Sequence, residues 1–535
     1  MNKNNSDVLI VGAGIAGLVA AYECLNKGLT VTILDRDKVE KMGGLAKQAF
    51  GGMALVDTPV QRKMGIHDSP AIALKDWHSF AQFGEEDYWP KQWADYYVKH
   101  SCVKVYHWLT DLGLKFFPAV NWVERGLQGD GNSLPRYHII WGTGHRLVTL
   151  FQELLSDHPN KDKLSFFFEH KVDEFFFESE KVIGCKALDE RTNSQTSFYA
   201  DHVIAACGGI SGSLEKVREH WYKPWGKAPS ELLNGSHQYA DGLIHDCLDQ
   251  KNAAITHLDK MWNYAAGIPH PKPHFPEHGL SLIPCKSALW LDADGKRIGP
   301  EPLITGFDTN ELCRRVSQLP DPYTWQILNW RIAAKEFAIS GSEHNPSIRD
   351  RKLFSFIKEV LLGNHKLIKD LAKESDHFLV ADSLHELVEK MNFLNGNDRI
   401  SEEALNAEIQ EFDQMINRGK ALWNDDQLRR IQQARAWRSD KFRTCSPKAI
   451  LDKKSGPLIA MKLRLISRKS LGGIQTNLDS QVLDKQGNVM NGLYAIGEAA
   501  GFGGGGASGF KSLEGTFLSG CILTARAAAQ SINNS

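Results

Sequence analysis

Three glycines near the start of the chain restrict the folds that it can adopt. Gly12, Gly14 and Gly17 have the spacing G-x-G-x-x-G, where the apolar run 7–11 gives way to the helical pattern 18–27. In a strand–turn–helix unit, such glycines let the turn close, let backbone N–H groups approach a pyrophosphate, and let helix and strand pack closely. The pattern predicts a dinucleotide-binding domain of the doubly wound α/β class.

An acidic residue completes this motif. Residues 30–34 are typical of a second strand, and Asp35 follows it, about 20 residues after the glycines, where an acid accepts hydrogen bonds from an adenosine ribose. Ala13, Ala16 and Arg36 belong to the same predicted binding segment. The alternative is a glycine turn that only packs a helix on a strand, but strand, helix, second strand and acid in register favour the dinucleotide.

Composition excludes several other functions. At 535 residues the chain is expected to form two or three domains, and its net charge of -1 predicts small-molecule partners and no nucleic acid. Nine cysteines without a C-x-x-C pair argue against metal sites and disulfide frameworks. The first residues lead straight into a strand and no apolar run reaches about 18 residues, so we expect a cytoplasmic protein without a membrane segment.

Further glycine turns are distributed along the chain. Gly43-Gly44 and Gly51-Gly52 bracket six residues, a spacing that permits two close backbone approaches to an extended ligand. The buried-strand pattern 201–206 ends in a glycine turn, and residues 491–498 repeat the arrangement before a second glycine-rich run and a helical segment. These turns are expected to meet around one cofactor.

These motifs resemble the FAD-dependent fumarate reductase and succinate dehydrogenase flavoprotein superfamily. Most of the chain is similar to the bacterial FAD-binding dehydrogenases related to 3-ketosteroid dehydrogenases. The resemblance implies a Rossmann-like FAD-binding domain of the GR2 type, with an inserted α+β domain that caps the substrate. It implies non-covalent FAD, because no histidine lies between residues 43 and 52. Ser512 and Leu513 are expected at a helix N-terminus facing the flavin pyrimidine. The other FAD contacts that the resemblance implies are Leu45, Ala46, Gly51, Gly52, Val172, Ala206, Gly208, Asp241 and Glu498.

The character of the chain changes between residues 245 and 468. Proline-rich loops are followed there by long charged helical stretches, and glycine pairs of the nucleotide-binding kind are absent. We therefore predict an FAD-binding domain made of residues 1–244 and 469–535, with residues 245–468 inserted as the capping domain. This cap is expected to supply most of the substrate surface.

The resemblance also suggests catalytic residues. His270 lies in a segment similar to the superfamily's His-Pro-Thr, and Arg314 falls roughly where fumarate reductases place a proton-donating arginine, with Arg315 almost as good. Lys469 replaces a histidine of that family, and Lys511 could polarise a carbonyl or only neutralise reduced flavin. For each, an ordinary surface or structural role is an equal alternative.

One other polar segment leaves two interpretations open. Arg136 and His138 lie beside the glycines at positions 142 and 144, so they could approach a ring system. A structural salt bridge and a satisfied core histidine are equally good explanations.

The predicted activity is dehydrogenation or reduction of a C–C bond next to a carbonyl, by hydride transfer through flavin N5. The substrate would be a 3-ketosteroid or another enone, and the electron acceptor or donor is unidentified. An amine or amino-acid oxidase, a non-redox flavoprotein of the same superfamily and a non-enzymatic electron carrier are the alternatives.

Overall fold

The computed structural model describes residues 4–532 and contains two eight-stranded sheets. The first sheet contains Asn5–Val11, Val31–Leu34, Leu164–Phe167, His170–Glu178, Lys181–Asp189, Ser194–Ala205, Gln481–Leu483 and Val489–Ala495. The second contains Leu232–Asn234, Met261–Pro269, Gly279–Ile283, Leu289–Leu291, Tyr323–Asn329, Ala338–Ile339, Phe378–Ala381 and Leu458–Ser470. Two smaller sheets contain Gly52–Ala54, Phe116–Asn121 and Tyr137–Ile140, and Ile255–Thr256 with Gly473–Ile474.

Helices surround these sheets. The α-helices are Ile15–Asn26, Gly44–Gln48, Pro59–Lys63, Pro70–Ala81, Tyr88–His100, Trp108–Asp111, Thr143–Ser156, Leu214–Glu219, Leu243–Asp249, Thr309–Ser317, Trp330–Glu336, Pro346–Arg349, Leu353–Leu362, His365–Glu374, Leu384–Asn395, Glu402–Asn417, Asp426–Ala436, Arg438–Lys441 and Thr516–Ile532. The first and last of them, which are rich in alanine, pack against each other although almost the whole chain separates them.

Five parallel strands form the centre of the first sheet. Their order is 489–495, 194–205, 5–11, 31–34 and 164–167. Because parallel strands end at the same edge, Gly12, Asp35, Ala206 and Glu498 come together, although they are far apart in the sequence. This arrangement is the Rossmann-like α/β fold that the glycine motif predicts.

The second sheet is built around one long strand. Leu458–Ser470 pairs with Tyr323–Asn329 on one side and Met261–Pro269 on the other, both antiparallel. Helices His365–Glu374 and Leu384–Asn395 pack near its edge strand. The apolar faces of these elements form the largest core cluster of the molecule.

Sheet membership interleaves along the chain. Leu232–Asn234 pairs with the central strand of the second sheet, whereas Ile255–Thr256 pairs with Gly473–Ile474 near the first. Leu458–Ser470 runs across position 468 without a break. The domain boundaries at 244/245 and 468/469 remain predictions.

The search for membrane spans found no helix of sufficient length and apolarity within residues 4–532. All nine cysteines are free. In the same part of the chain, no cluster of histidine, cysteine and acidic side chains could hold a metal ion.

Candidate active site

A cavity of about 890 Å³ opens where the parallel strands end. One wall is formed by the turns that follow these strands, and the opposite wall by residues from the second sheet and its helices. The residues predicted to hold FAD that line it are Gly12, Gly14, Ala16, Asp35, Arg36, Gly43, Gly44, Leu45, Ala46, Gly51, Gly52, Val172, Ala206, Gly208, Asp241 and Glu498.

The glycine turn is held by the acid that ends the motif. Asp35 accepts a hydrogen bond from the Ala13 amide at 2.6 Å and another from the Asp37 amide at 2.7 Å, and burial raises the pKa of Asp35. Each carboxylate oxygen keeps a further lone pair, so Asp35 can also accept a ribose hydroxyl.

The three glycines of the motif are required for different structural reasons. A Cβ on Gly12 would lie 2.4 Å from the Ala206 carbonyl oxygen, and one on Gly17 would lie 2.0 Å from the Gly12 carbonyl oxygen. Gly12 therefore allows two strand ends to approach closely, Gly17 allows the helix to pack on the turn, and Gly17 does not line the cavity. A Cβ on Gly14 would meet no protein atom within 4 Å. Gly14 therefore leaves open space at the helix N-terminus, where a pyrophosphate would bind.

Two predicted FAD residues are tied to each other at the rim. The guanidinium of Arg36 donates to Asp241 Oδ2 at 2.9 Å, pairs with Glu190, and stacks 4.5 Å from the centre of the Tyr239 ring. Asp241 also accepts from the Leu243 amide at 3.1 Å, at the start of the helix Leu243–Asp249. This network fixes the chain beside the turn that follows Asp35.

A buried carboxylate and a buried amine lie at the seam between the two walls. Glu498 Oε1 accepts from the Ser470 amide at 2.9 Å, and burial raises the pKa of Glu498 to about 7. Lys469 lines the cavity with its Nζ 4.4 Å from the centre of the Phe517 ring, and burial lowers the pKa of Lys469 to about 8. Among the described residues, the amine has no hydrogen-bond partner. Both groups can change charge near neutral pH.

A phenol that is hydrogen-bonded to a carboxylate also lines the cavity. Tyr264 Oη donates to Glu514 Oε2 at 2.8 Å, and Trp262 Nε1 donates to the same oxygen at 3.0 Å. Burial, followed by the charge of Glu514, raises the pKa of Tyr264 well above its usual value. Tyr137 also lines the cavity, and burial raises its pKa as well. No sequence motif identifies any of these four residues as part of the site.

A second buried carboxylate faces the cavity from the loop before Gly126. Glu124 accepts from the Thr309 hydroxyl at 2.5 Å and from the Thr309 amide at 3.0 Å, at the start of the helix Thr309–Ser317. Burial raises the pKa of Glu124 to about 8. Glu124 is therefore a further group that can hold a proton in this site.

Three of the predicted catalytic residues lie outside the cavity lining. Lys511 Nζ is bound to the buried carboxylate of Asp308 at 2.6 Å, and Arg314 is bound to Glu311 on the partly exposed side of its helix. His270 stacks on His278 with ring centres 4.3 Å apart. Lys511 and His270 are engaged by partners that the spacing of the sequence does not reveal, whereas Glu311 lies three residues before Arg314 on the same helix. Lys469 is the predicted catalytic residue that the cavity does include.

The expected helix start at Ser512 and Leu513 is shifted. The helix begins at Thr516, and the two residues lie in the preceding turn, buried and outside the cavity lining. The Ser512 hydroxyl is 3.1 Å from the hydroxyls of both Ser508 and Thr516. The next residue, Glu514, faces the cavity instead.

The two interpretations of the polar segment before Gly142 are now distinguished. Arg136 is buried and bound to Asp68 at 2.8 Å, while His138 is 2.7 Å from the Thr58 hydroxyl, so both are structural. Tyr137, between them in the strand Tyr137–Ile140, points to the opposite face. Its ring lies over Gly52, where a Cβ would be 1.8 Å from the ring carbon that carries the hydroxyl.

The donor set fits an FAD molecule. The open space at Gly14 lies at the N-terminus of the helix Ile15–Asn26, and Asp35 has acceptor capacity left for a ribose. Glu498 follows the strand Val489–Ala495 and can accept from a ribityl hydroxyl. These groups share the wall formed by the ends of the parallel strands.

Comparison with known proteins agrees with this geometry. The family model described as FAD binding domain matches residues 7–518. A KsdD-like steroid dehydrogenase of Mycobacterium tuberculosis (strain CDC 1551 / Oshkosh) is 42% identical over 545 residues, which cover 98% of this chain and 95% of that protein. Another, from Mycolicibacterium smegmatis (strain ATCC 700084 / mc(2)155), is 40% identical and covers 96% of each chain.

A solved structure has the same fold. The crystal structure of 3-ketosteroid delta1-dehydrogenase from Sterolibacterium denitrificans, in complex with 1,4-androstadiene-3,17-dione, gives a TM-score of 0.71 at 14% identity. The match covers 99% of this chain and 100% of that one, and at this identity it is evidence for the fold. The resemblance stated from the motifs, the α/β fold and FAD as the cofactor are confirmed. The chain belongs to the FAD binding domain family and is an FAD-dependent oxidoreductase of the ketosteroid dehydrogenase type.

Proposed function

We propose that the protein dehydrogenates, or in reverse reduces, a C–C bond next to the ketone of a steroid-like polycyclic substrate. The observation that carries this proposal is the Tyr264–Glu514 pair, a phenol hydrogen-bonded to a carboxylate at the cavity. We call the wall formed by the turns after the parallel strands, which carries the residues predicted to hold FAD, the FAD wall. Apolar side chains of the cap, such as Trp290 and Leu282, line the same space and suit a rigid hydrocarbon body. The names of the relatives support the same substrate class.

The reaction divides into a hydride and a proton. Bound FAD supplies the hydride acceptor or donor, at flavin N5. The chain must therefore hold the substrate bond near the flavin, polarise the ketone, and take or give one proton.

Tyr264 is the proposed proton carrier. In the dehydrogenation direction, Tyr264 Oη takes the proton that leaves the substrate carbon while its own proton passes to Glu514 Oε2, 2.8 Å away. The raised pKa of Tyr264 keeps the phenol protonated at neutral pH. The Glu514 carboxylate must therefore accept the phenol's proton while the phenol oxygen receives the proton from the substrate carbon. Reduction follows the same path in reverse.

Tyr137 is the proposed partner of the ketone oxygen. Its hydroxyl forms no hydrogen bond to any described residue, and its ring lies over Gly52 beside the FAD wall. Because burial raises its pKa, Tyr137 stays a neutral donor at neutral pH. A phenol donating to the ketone would stabilise the enolate-like charge that develops when the neighbouring proton leaves.

The test begins with the colour of the purified protein. We expect an oxidised-flavin spectrum, released completely by heat or acid because the FAD is non-covalent. Under anaerobic conditions a saturated 3-ketosteroid should bleach the flavin, and an artificial electron acceptor should sustain turnover to the enone. Bleaching by a primary amine with peroxide formation would favour an amine oxidase, and product formation without flavin reduction would favour a non-redox flavoprotein.

The physiological electron partner is proposed only as a small-molecule or protein acceptor of unidentified type. We also propose a reducing, cytoplasmic compartment, since nine cysteines are all free. Recovery of the protein in a secreted or periplasmic fraction would contradict this location.

A further inference from the structure

Two cations lie on the cavity wall that is formed by the second sheet and its helices, which we call the cap wall, and they are remote in sequence from the FAD motifs. Lys286 follows the strand Gly279–Ile283, and Arg443 follows the short helix Arg438–Lys441. The charges of both side chains act on the thiol of Cys285, whose pKa burial raises well above its usual value and these cations lower. Lys286 and Arg443 therefore both lie near this buried thiol, which is outside the cavity lining, and both side chains line the cavity. Arg438 adds a third, more exposed cation at the rim.

Neither cation has a partner within residues 4–532. Lys286 Nζ and the guanidinium of Arg443 take part in no hydrogen bond or ion pair of the described chain. Burial lowers the pKa of Arg443, whereas the pKa of Arg136, which is more buried but bound to two aspartates, is raised. An arginine offers five donors in a planar fork, and a partly buried guanidinium without acceptors is costly. The structure thus leaves a cationic fork unsatisfied at the cavity wall.

The neighbouring carboxylates are already satisfied. Glu336 accepts from the Ser287 amide at 2.9 Å, the Ser287 hydroxyl at 2.7 Å and the Cys445 amide at 2.6 Å. Asp440, on which the charge of Lys286 also acts, is paired with Arg125 in a buried ion pair. Glu359, the carboxylate whose charge acts most on Arg443, accepts from the Ser347 hydroxyl at 2.6 Å. None of these acids hydrogen-bonds to Lys286 or Arg443, so a ligand in the cavity can supply acceptors to both cations.

The wall beside these cations is apolar. Phe356, Ile357, Val360 and Leu361 of the helix Leu353–Leu362 line the cavity, together with Phe442. A ligand that meets the cations must therefore also bury a hydrocarbon surface against these side chains. The combination fits a molecule with an apolar body and one anionic end.

We propose that the substrate of this site carries a carboxylate, which Arg443 and Lys286 bind while the ketone end reacts at the FAD wall. This inference rests on the proposed function, and it narrows the substrate class to steroid-like ketones with an acidic side chain. A carboxylate matches the guanidinium fork through two parallel hydrogen bonds, and Lys286 adds a point charge. The flavin chemistry itself needs no such group, so the two cations determine specificity.

The test uses two substrates that differ in the charge of the side-chain end and otherwise only by one methyl group. We would measure kcat/KM of the FAD-loaded protein for 3-oxochol-4-en-24-oic acid and for its methyl ester, with the same artificial acceptor. The wild type should prefer the acid by roughly 10- to 100-fold, the range of a hydrogen bond to a charged group. The preference should fall at high ionic strength, because salt screens the attraction.

Variants then assign the preference to residues. The ratio of the two kcat/KM values should collapse toward one in Arg443→Met and decrease in Lys286→Met. Arg429→Met, which removes an exposed arginine from the helix Asp426–Ala436 outside the cavity lining, should keep the wild-type ratio. Flavin content and melting temperature report whether each variant is folded, and the wild-type comparison is decisive without any variant.

The outcomes separate this inference from the proposed function. Turnover of both steroids without a preference for the acid would overturn the carboxylate site and leave the proposed function intact. An equal loss for acid and ester in Arg443→Met would also overturn it, because the arginine would then serve the shared part of the molecule. Failure to reduce the flavin with either compound, or with any neutral 3-ketosteroid, would overturn the proposed function itself.

Discussion

The two walls of the cavity are built in different ways. The FAD wall consists mainly of backbone turns at the ends of parallel strands. Its side chains form hydrogen bonds within the glycine motif, such as the one that the Ala13 amide donates to Asp35. The cap wall consists of side chains from at least four separated segments, among them Tyr264, Lys286 and Arg443. The first part of the dinucleotide site, residues 12–35, is therefore a property of local sequence, whereas the substrate site is a property of the tertiary structure.

This difference decides where mutations act. Substitutions in the FAD wall change the backbone path and should alter cofactor binding. Substitutions in the cap wall change single functional groups and should alter turnover or specificity while the flavin stays bound.

The largest effect is expected at Tyr264. Tyr264→Phe removes the proposed proton carrier and leaves the ring in place, so kcat should fall by roughly 10²- to 10⁴-fold, the usual contribution of a general acid or base. The flavin spectrum and the amount of bound FAD should stay unchanged. Steady-state turnover of a 3-ketosteroid and the rate of anaerobic flavin reduction measure the effect.

Glu514→Gln is the companion variant. It keeps a hydrogen-bond acceptor for Tyr264 and Trp262 but cannot take the proton, so turnover should fall in the same direction. Unchanged flavin reduction in Tyr264→Phe would remove the phenol from the mechanism.

A variant of Lys511 tests whether its ion pair with Asp308 is structural or catalytic. Lys511→Met leaves Asp308 as an unpaired buried acid, which should lower the free energy of unfolding by about 3 to 5 kcal/mol. The double variant Lys511→Met with Asp308→Asn should recover much of that loss. Chemical denaturation of the holoenzyme measures both, and kcat of the folded fraction should stay within a factor of a few.

Arg314→Gln is the matched control. Its guanidinium pairs with Glu311 within one partly exposed helical turn, so the loss should stay below about 1 kcal/mol. A large fall in kcat with normal stability, in either variant, would return that residue to the active site.

The residues of the two walls can be predicted from the sequence to different extents. Strand, turn, helix and acid are contiguous over residues 7–35, so the parallel sheet and Asp35 follow from local pattern. Tyr264 and Glu514 meet only because the strand Met261–Pro269 packs near the turn before Thr516, some 250 positions away. Residue spacing in the sequence cannot predict a contact between such distant positions.

The segment around Tyr137 shows the same limit at short range. Its neighbours Arg136 and His138 attract attention because they are charged or titratable, but strand alternation turns them to the structural face. The residue between them faces the cavity. Alternation could have suggested this residue, had the strand Tyr137–Ile140 been identified from the sequence.

Gly14 tests the FAD wall without disturbing the fold. The position of a Cβ there meets no protein atom, so Gly14→Val should fold normally but should weaken FAD binding by roughly 10- to 100-fold, as expected for an overpacked contact. Gly12→Ala is the contrasting variant, since its Cβ would collide with the Ala206 carbonyl oxygen and lower the stability of the flavin-free protein as well. FAD titration and thermal melting of both proteins separate the two effects. Full flavin content in Gly14→Val would place the pyrophosphate elsewhere.

The smallest effect is expected at Lys469, which lies where the two walls meet. Its pKa in the folded protein is about 8, below the usual 10.5, so the unfolded chain binds this proton more strongly. The buried charge therefore destabilises the fold fully below pH 8, and the cost fades as the pH rises toward 10.5. Lys469→Met should raise the free energy of unfolding of the flavin-free protein at pH 7 by roughly 1 to 2 kcal/mol, since residual exposure screens part of the shift. Urea denaturation between pH 7 and pH 10, with the exposed Lys420→Met as control, should show the gain shrinking with pH, and a gain independent of pH would assign it to the packing of the methionine rather than to the lost charge.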